Sequence, residues 1–232
     1  MNFAIISAGE GSRLAQEGVA KPKPLVELNG EAMIERLVRI FMHQGARRVV
    51  VIINDRVPET KAFLTRLKEE LPIELVVKNT PSSMHSFYEI SHLLEGDRFC
   101  LTTVDTIFRE EEFARYIGAF RTSEADGLMA VTDYVDDEKP LYISTTDDLR
   151  ITGFHDQPTP DCRYISGGIY CLTPKALDTL HRCMDEGLSR MRNFQRQLVA
   201  DGLCLEAWPF SKIVDVDHAG DIVKAEEFLR EE

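Results

Sequence analysis

The chain has 232 residues, of which 44% are hydrophobic and 28% charged, a balance that predicts a globular protein with a sizeable core and excludes a disordered or fibrous chain. Its formal net charge of -12 argues against a nucleic-acid partner, because phosphate backbones are held by clustered Lys and Arg. The cysteines (Cys100, Cys162, Cys171, Cys183, Cys204) are odd in number and form no C-x-x-C pair, so they read as buried free thiols rather than a zinc or redox centre.

The first predicted element is a strand over Phe3 to Ser7. This run has no basic lead and stops at Gly9, so neither a secretory signal nor a membrane span is expected, and the expected compartment is the cytoplasm. A helix follows with Ile34, Leu37, Val38, Phe41 and Met42 on one face, stopping at Gly45. Val49 to Ile53 reads as a second buried strand, and Pro58 starts a helix that turns Phe63, Leu64, Leu67 and Leu71 inward. Strands at Ile73 to Val77 and Phe99 to Val104 continue the β-α-β order, which implies a mainly parallel sheet. Beyond Gly127 short strands at Leu128 to Thr132, Tyr142 to Ser144, Arg150 to Phe154 and Tyr164 to Leu172 have little helix between them and predict antiparallel additions. Helix returns at Pro174 to Asp185 and from His218 onward. No linker, repeat or low-complexity tract interrupts the pattern, so residues 1–232 are expected to form one domain of Rossmann-like α/β type: a three-layer αβα sandwich on a mixed, mainly parallel sheet with an antiparallel part.

Gly9-Glu10-Gly11-Ser12-Arg13-Leu14 begins like a dinucleotide fingerprint, but Leu14 stands where the third glycine belongs, and Pro22 and Pro24 fall where the crossover helix would run. No Gly-Lys-Ser/Thr closes the loop, which excludes a Walker A motif. What remains is a loop of small residues past the end of a strand, whose backbone N–H groups can surround a phosphate, with Arg13 adding a guanidinium fork and Lys23 a compact charge on a proline-stiffened segment. Asp105 ends a core strand, where open α/β sheets place their ligands; with the loop nearby it reads as a Mg²⁺ ligand, and alone as a helix N-cap. Asp215-Val216-Asp217 would turn both carboxylates to one side of a strand, with Asp217 either sharing a cation or capping the last helix.

"SAGEGSRLAQEGVAKPKPLVELNGEAMIERLV" resembles the nucleotidyltransferase family that makes nucleoside-diphosphate sugars and related activated alcohols, through Ala8, Gly9, Gly11, Ser12, Arg13, Pro22, Lys23, Pro24, Leu25, Gly30, Met33 and Ile34. The spacer lacks the Pro-x-Thr of many sugar-specific members. The likeness extends to "FCLTTVDTIF", "NTPSSMHSFYEI", "ITGFHDQPTP", "YISGGIYCLTPKAL" and "IVDVDHAGDIVKAEEFL", nearly the whole chain. It implies a Mg²⁺-dependent transfer of a nucleoside monophosphate from an NTP to a small phosphorylated acceptor, with pyrophosphate released. Arg13 and Lys23 would be catalytic. Ala8, Gly9, Gly11, Ser12, Arg13, Ser82, Ser83 and Ser86 would meet the nucleotide, Asp156, Gly167 and Gly168 the acceptor, and Asp105 and Asp215 the metal. Ser82 and Ser83 take the places of two family asparagines, although Ser83 also reads as a helix cap; Asp156 and Gln157 take those of a glutamate and a lysine.

The resemblance leaves the acceptor open between a sugar 1-phosphate, the commonest choice, and a phosphocholine-like molecule, for which Trp208, Tyr164 or Tyr170 would supply an aromatic cage. A metal-dependent glycosyltransferase using Asp215 and Asp217, and a nucleotide-sugar-binding regulator without turnover, are the rival readings. His43, His181 and His218 read as packing or surface residues. The absence of hexapeptide repeats predicts no appended β-helix, and the oligomeric state is left open.

Overall fold

The computed structural model describes residues 1–136 and 138–231. In chain order the first half contains β1 (Asn2–Ser7), α1 (Ser12–Gln16), β2 (Glu27–Leu28), β3 (Glu31–Ala32), α2 (Met33–His43), β4 (Val49–Ile53), α3 (Pro58–Leu67), β5 (Ile73–Val77), α4 (Ser83–Ser91), β6 (Phe99–Thr103), β7 (Thr106–Ile107) and α5 (Glu110–Thr122). The second half contains β8 (Gly127–Thr132), β9 (Tyr142–Thr145), β10 (Ile151–His155), β11 (Cys162–Leu172), α6 (Lys175–Asp185), α7 (Met191–Ala200), β12 (Leu205–Pro209), β13 (Val214–Asp215) and α8 (Ala219–Arg230).

Parallel pairing runs β6, β1, β4, β5, and the long β11 joins this set by antiparallel pairing with β6, while also pairing antiparallel with β8 and β9. Alternation along the parallel strands creates two cores. Phe3, Ile5, Val49, Val51 and Ile53 pack with residues of α2, α3, α5 and α8, whereas Ala4, Ile6, Val50 and Ile52 pack with residues of α4, α6 and α7. A strand buried on both faces reads as a continuous apolar run, which is why β4 is VVVII with every position buried. The result is the expected three-layer α/β sandwich on a mixed, mainly parallel sheet.

Two departures from the sequence reading lie in the second half. Helix α7 and strand β12 carry no pattern that singled them out, and β12 pairs with β8 in parallel, so the added part is not wholly antiparallel. β12 is also short and ends at Pro209, which cannot extend a ladder. In the first half, an aromatic stack beneath the sheet anchors α5: Phe41 lies 5.0 Å from Phe3 and 5.5 Å from Phe113, and Phe113 lies 4.8 Å from Phe108. This stack supports the β6–β7 turn, where Asp105 sits.

Candidate functional site

The loop from Ala8 to Arg13 leaves the end of β1 and is held from behind by Asn54, whose buried amide donates to the carbonyls of Ala8 and Gly9 at 3.2 and 3.0 Å. No backbone acceptor takes the N–H groups of residues 9 to 12 among the described residues, which leaves them available to an anion. Gly11 has φ 61°, and a Cβ there would stand 2.8 Å from Lys23 Cβ. Glycine is therefore required twice, for its conformation and for the close approach of the Lys23 segment. That segment is a single 3-10 turn, Lys23–Leu25, entered from Pro22 in an extended conformation.

Lys23 Nζ lies 2.5 Å from Asp105 Oδ2 and 2.6 Å from Asp217 Oδ1, and Arg13 Nη1 donates to Asp217 Oδ2 at 2.6 Å. Burial pulls the Lys23 pKa down, but the charge of Asp105 and the hydrogen bonds to both carboxylates outweigh it and hold the ammonium above the ordinary lysine range. Burial likewise pushes Asp217 up, and Lys23 with Arg13 outweighs it, so this carboxyl stays below its usual range. The carboxylates come from distant parts of the chain and are brought together by a short antiparallel ladder: Val214 opposite Ile107, Asp215 opposite Thr106, and the Val216 N–H donating to the Asp105 carbonyl at 3.0 Å.

The start of α8 decides one of the two roles open to Asp217. It is not the helix cap: α8 is entered through His218, and the Asp221 carboxylate accepts from the N–H groups of Asp217 and His218 at 3.2 and 2.9 Å. The Asp217 carboxylate is free to face Lys23 and Arg13. Sequence spacing could not separate the two roles, because both place an aspartate just before a helix.

Two cavities meet here. One, of about 530 Å³, is lined by the glycine loop, Lys23, Ser82, Ser83 and Asp105. The other, of about 580 Å³, is lined by Asp215, Gly167, Gly168, Tyr170, Arg190 and Arg192 among others. Arg13, Ser83, Thr103 and Asp217 line both, so the Lys23 cluster marks the seam.

The α4 serines are placed differently from one another. Ser82 is the residue before the helix, and its Oγ contacts His85 Nδ1 at 2.9 Å and accepts from the Arg190 N–H at 3.3 Å. Ser83 is the first helical residue rather than the cap, and it reaches both cavities. Ser86 is buried, with its hydroxyl 2.6 Å from that of Thr80, so it supports the cavity wall.

Gly167 and Gly168 lie where the register between β11 and β8 shifts. A Cβ on Gly167 would fall 2.3 Å from Ile213 Cδ1, and Gly168, at φ 74°, would bring one to 3.0 Å from Thr106 Oγ1. Just beyond the shift, at the Cys171–Leu128 pair, Tyr116 bridges the two strands: its buried hydroxyl donates to the Leu128 carbonyl at 2.5 Å and accepts from the Cys171 N–H at 2.9 Å. Tyr116 thereby fixes the cavity wall from the far side of the sheet.

Asp156 does not line the wide cavity. It is exposed beside a separate cleft, held by Arg192 at 2.5 Å and Arg196 at 2.7 Å, and Gln157 lines the same cleft. Of the proposed cage aromatics only Tyr170 faces the wide cavity; burial pushes its phenol up to about 12, helped by the charges of Asp215 and Asp105. Tyr164 packs against one core, and Trp208 packs against the other, 6.4 Å from the Tyr116 ring. Burial of these rings decided what composition could not.

Sequence reasoning missed Tyr134, Asp136, Arg190, Arg192 and Lys224 on the cavity wall. The basic spacing Arg190, Arg192, Arg196 at the start of a helix was the available signal. Arg190 also has φ 71°, a conformation uncommon outside glycine and one that no sequence pattern announces.

A divalent cation fits these residues. Asp105 Oδ1 is buried without a hydrogen-bond partner, an acceptor oxygen that a cation would satisfy. No group of three or more His, Cys, Asp or Glu side chains able to hold a metal is found among the described residues, so a cation here would rest on one or two protein carboxylates and take its other ligands from outside the protein. No helix among the described residues is long and apolar enough to cross a membrane.

Known proteins resemble this chain at the level of both sequence and fold. A 2-aminoethylphosphonate cytidylyltransferase from Lancefieldella rimae is 28% identical over 114 residues, 47% of this chain and 45% of that protein, so the match spans about half of the relative's length. A UTP-glucose-1-phosphate uridylyltransferase from Haloferax volcanii is 22% identical over 248 aligned positions covering 100% of this chain and 98% of the relative. The inositol-1-phosphate CTP transferase structure from T. maritima superposes with a TM-score of 0.78 at 17% identity, covering 98% of this chain and 97% of that one, and confirms the fold. Residues 3–200, from the first strand through α7 and so including the glycine loop, Lys23, Asp105 and the glycines of β11, match the MobA-like NTP transferase domain, and the chain belongs to that family.

Proposed function

We propose that this protein transfers a nucleoside monophosphate from an NTP to a small phosphorylated acceptor, a sugar 1-phosphate in the first instance, releasing pyrophosphate, with a divalent cation such as Mg²⁺ as cofactor. The observation that carries this reading is the seam: two cavities of ligand size meet at a cluster in which two cations and two carboxylates, Arg13, Lys23, Asp105 and Asp217, are already in contact, Arg13 and Asp217 lining both cavities and Lys23 and Asp105 the one under the glycine loop. Nucleotide would fill the cavity under the glycine loop, and the acceptor the wide one.

The attacking atom is a phosphate oxygen, already an anion near neutral pH, so the protein need not supply a general base. Its task is alignment and charge neutralisation. The N–H groups of residues 9 to 12 and Arg13 would hold the triphosphate, and Lys23 would meet the α-phosphate as charge gathers there. Arg190 and Arg192 would orient the acceptor phosphate from the opposite wall. Asp105 and a carboxylate of the Asp215/Asp217 pair would hold the cation, which supplies charge neutralisation between the nucleotide and acceptor phosphates when bound.

A second acceptor class is favoured by one feature. The wide cavity is lined by Asp136, Asp221 and the Tyr134 ring, which here hold protein ammoniums, Lys224 at 2.6 Å from Asp136 and 3.2 Å from Asp221 and Lys212 4.5 Å from the ring centroid, and would hold an acceptor's ammonium in their place; the Lancefieldella rimae relative is named for an aminophosphonate acceptor. Pyrophosphate release measured with the four NTPs against sugar 1-phosphates, phosphocholine and 2-aminoethylphosphonate separates the two. Release with none of them, together with tight binding of a nucleotide sugar, overturns transfer in favour of a regulator. Cleavage of a nucleotide sugar without pyrophosphate overturns it in favour of a glycosyltransferase.

A further inference from the structure

The Lys23 ammonium is turned inward. Its side chain is 12% exposed, and although it lines the cavity under the glycine loop its Nζ is engaged by both Asp105 and Asp217. One point charge thus occupies the gap between two carboxylates at the seam, on the spot where their oxygens converge. Of the Asp215/Asp217 pair, Asp217 is the carboxylate at 2.6 Å from Nζ and it lines both cavities, whereas Asp215 lines the wide one. The ammonium also leaves Asp105 Oδ1 unused.

We propose, building on the transferase reading above, that Lys23 is a placeholder: in the nucleotide-free protein its ammonium holds the position of the divalent cation between Asp105 and Asp217, and the metal enters only when a triphosphate draws the ammonium away. With Lys23 and Arg13 in place both carboxylates are already compensated, and a divalent ion approaching the pair meets the repulsion of a cation at contact distance. Triphosphate oxygens offer Lys23 a stronger acceptor, and its departure frees both carboxylates together. Lysine suits the exchange because its charge is compact, carried on a flexible four-carbon stem with three rotatable donors, whereas a planar guanidinium would stay locked to a carboxylate. The second metal carboxylate is accordingly Asp217, and Asp215 belongs to the acceptor wall. Metal would then be absent from the site until there is a nucleotide to transfer.

The test uses Mn²⁺ as probe and the relaxation of water protons by protein-bound Mn²⁺ as readout, which requires no turnover. Wild-type protein should bind Mn²⁺ weakly alone and strongly with a bound NTP. Lys23→Met, and Lys23→Gln as a polar substitute in case the first fails to fold, should bind Mn²⁺ without nucleotide at least about tenfold more tightly than wild type, because the carboxylates are left uncompensated. Adding Asp217→Asn to either should remove that gain, and adding Asp215→Asn should leave it. The inference is overturned if the folded Lys23 variants bind Mn²⁺ alone no better than wild type, or if Asp215→Asn and not Asp217→Asn abolishes the gain. Wild type that binds an NTP yet never recruits Mn²⁺ overturns the metal-dependent reading, and the inference with it.

Discussion

Gly11→Ala separates the two demands that the structure makes of the glycine loop. The first is conformational: at φ 61° an L-residue with a Cβ costs about 1–2 kcal/mol, offset in part by about 0.4–1 kcal/mol from the stiffer unfolded chain. The second is steric: the new Cβ would stand 2.8 Å from Lys23 Cβ, an atom next to the backbone of a segment framed by Pro22 and Pro24, so little can give. A forced contact of this kind adds about 1–3 kcal/mol, or displaces Lys23. Two neighbours serve as controls. Gly18 has φ 86° and nothing within 4 Å of a built Cβ, so Gly18→Ala tests the conformational cost alone; Gly9 has neither constraint, so Gly9→Ala should be as stable as wild type. Thermal melts should rank Gly9→Ala, Gly18→Ala, Gly11→Ala in order of increasing loss, the last by about 2–3 kcal/mol or roughly 4–12 °C in a chain of this size. Pyrophosphate-release assays should show Gly11→Ala at least about tenfold down in kcat/KM, because a displacement of Lys23 by a fraction of an ångström is felt at the reacting phosphate, while Gly18→Ala keeps wild-type turnover. If Gly11→Ala melts with Gly18→Ala and turns over within about threefold of wild type, the close approach to Lys23 has no consequence and the reasoning fails.

Lys23→Ala should lower kcat/KM by on the order of a hundredfold with the fold retained by circular dichroism; activity within about threefold of wild type would remove Lys23 from the phosphate site. Tyr116→Phe leaves the Leu128 carbonyl and the Cys171 N–H without their buried partner, so it should cost about 1–3 kcal/mol in denaturant titrations and raise KM for the acceptor more than KM for the nucleotide. Asp126 accepts from Lys175 at 2.8 Å and from the Cys204 N–H at 2.9 Å, tying the starts of β8, α6 and β12. Burial pushes its carboxyl up, but Lys175 and the Cys204 N–H outweigh it and hold the pKa below the usual value. A depressed folded pKa means stability that is present above the unfolded value and lost as pH falls through the folded one. Melts of wild type and Asp126→Asn should therefore differ above about pH 4 and converge in stronger acid.

The strands of the parallel half were legible because each is buried on both faces and reads as an unbroken apolar run. β1 and β4 begin and end within about a residue of the expected limits. The helices α2 and α3 were legible for the complementary reason, a one-sided apolar face ended by glycine or opened by proline. α7 and β12 were not. In α7 basic residues share the helix with the buried Phe194 and Leu198, since one side faces a cavity, and β12 is a short strand whose burial comes from β8 beside it.

At the site the order of residues determined the glycine loop on its own. Gly9, Gly11, Arg13 and Lys23 lie within one local segment, where spacing dictates proximity and the glycines announce the conformation they must adopt. Only the tertiary structure decided which carboxylates Lys23 meets, that Tyr116 holds the wall of the wide cavity from behind, and that Trp208 and Asp156 stand away from that cavity. The reason is physical: a D-x-D beside a helix has the same local propensities whether it caps the helix or faces a lysine from the other end of the chain. The choice was made by the β7–β13 ladder and by Asp221 taking the cap, contacts between segments remote in sequence.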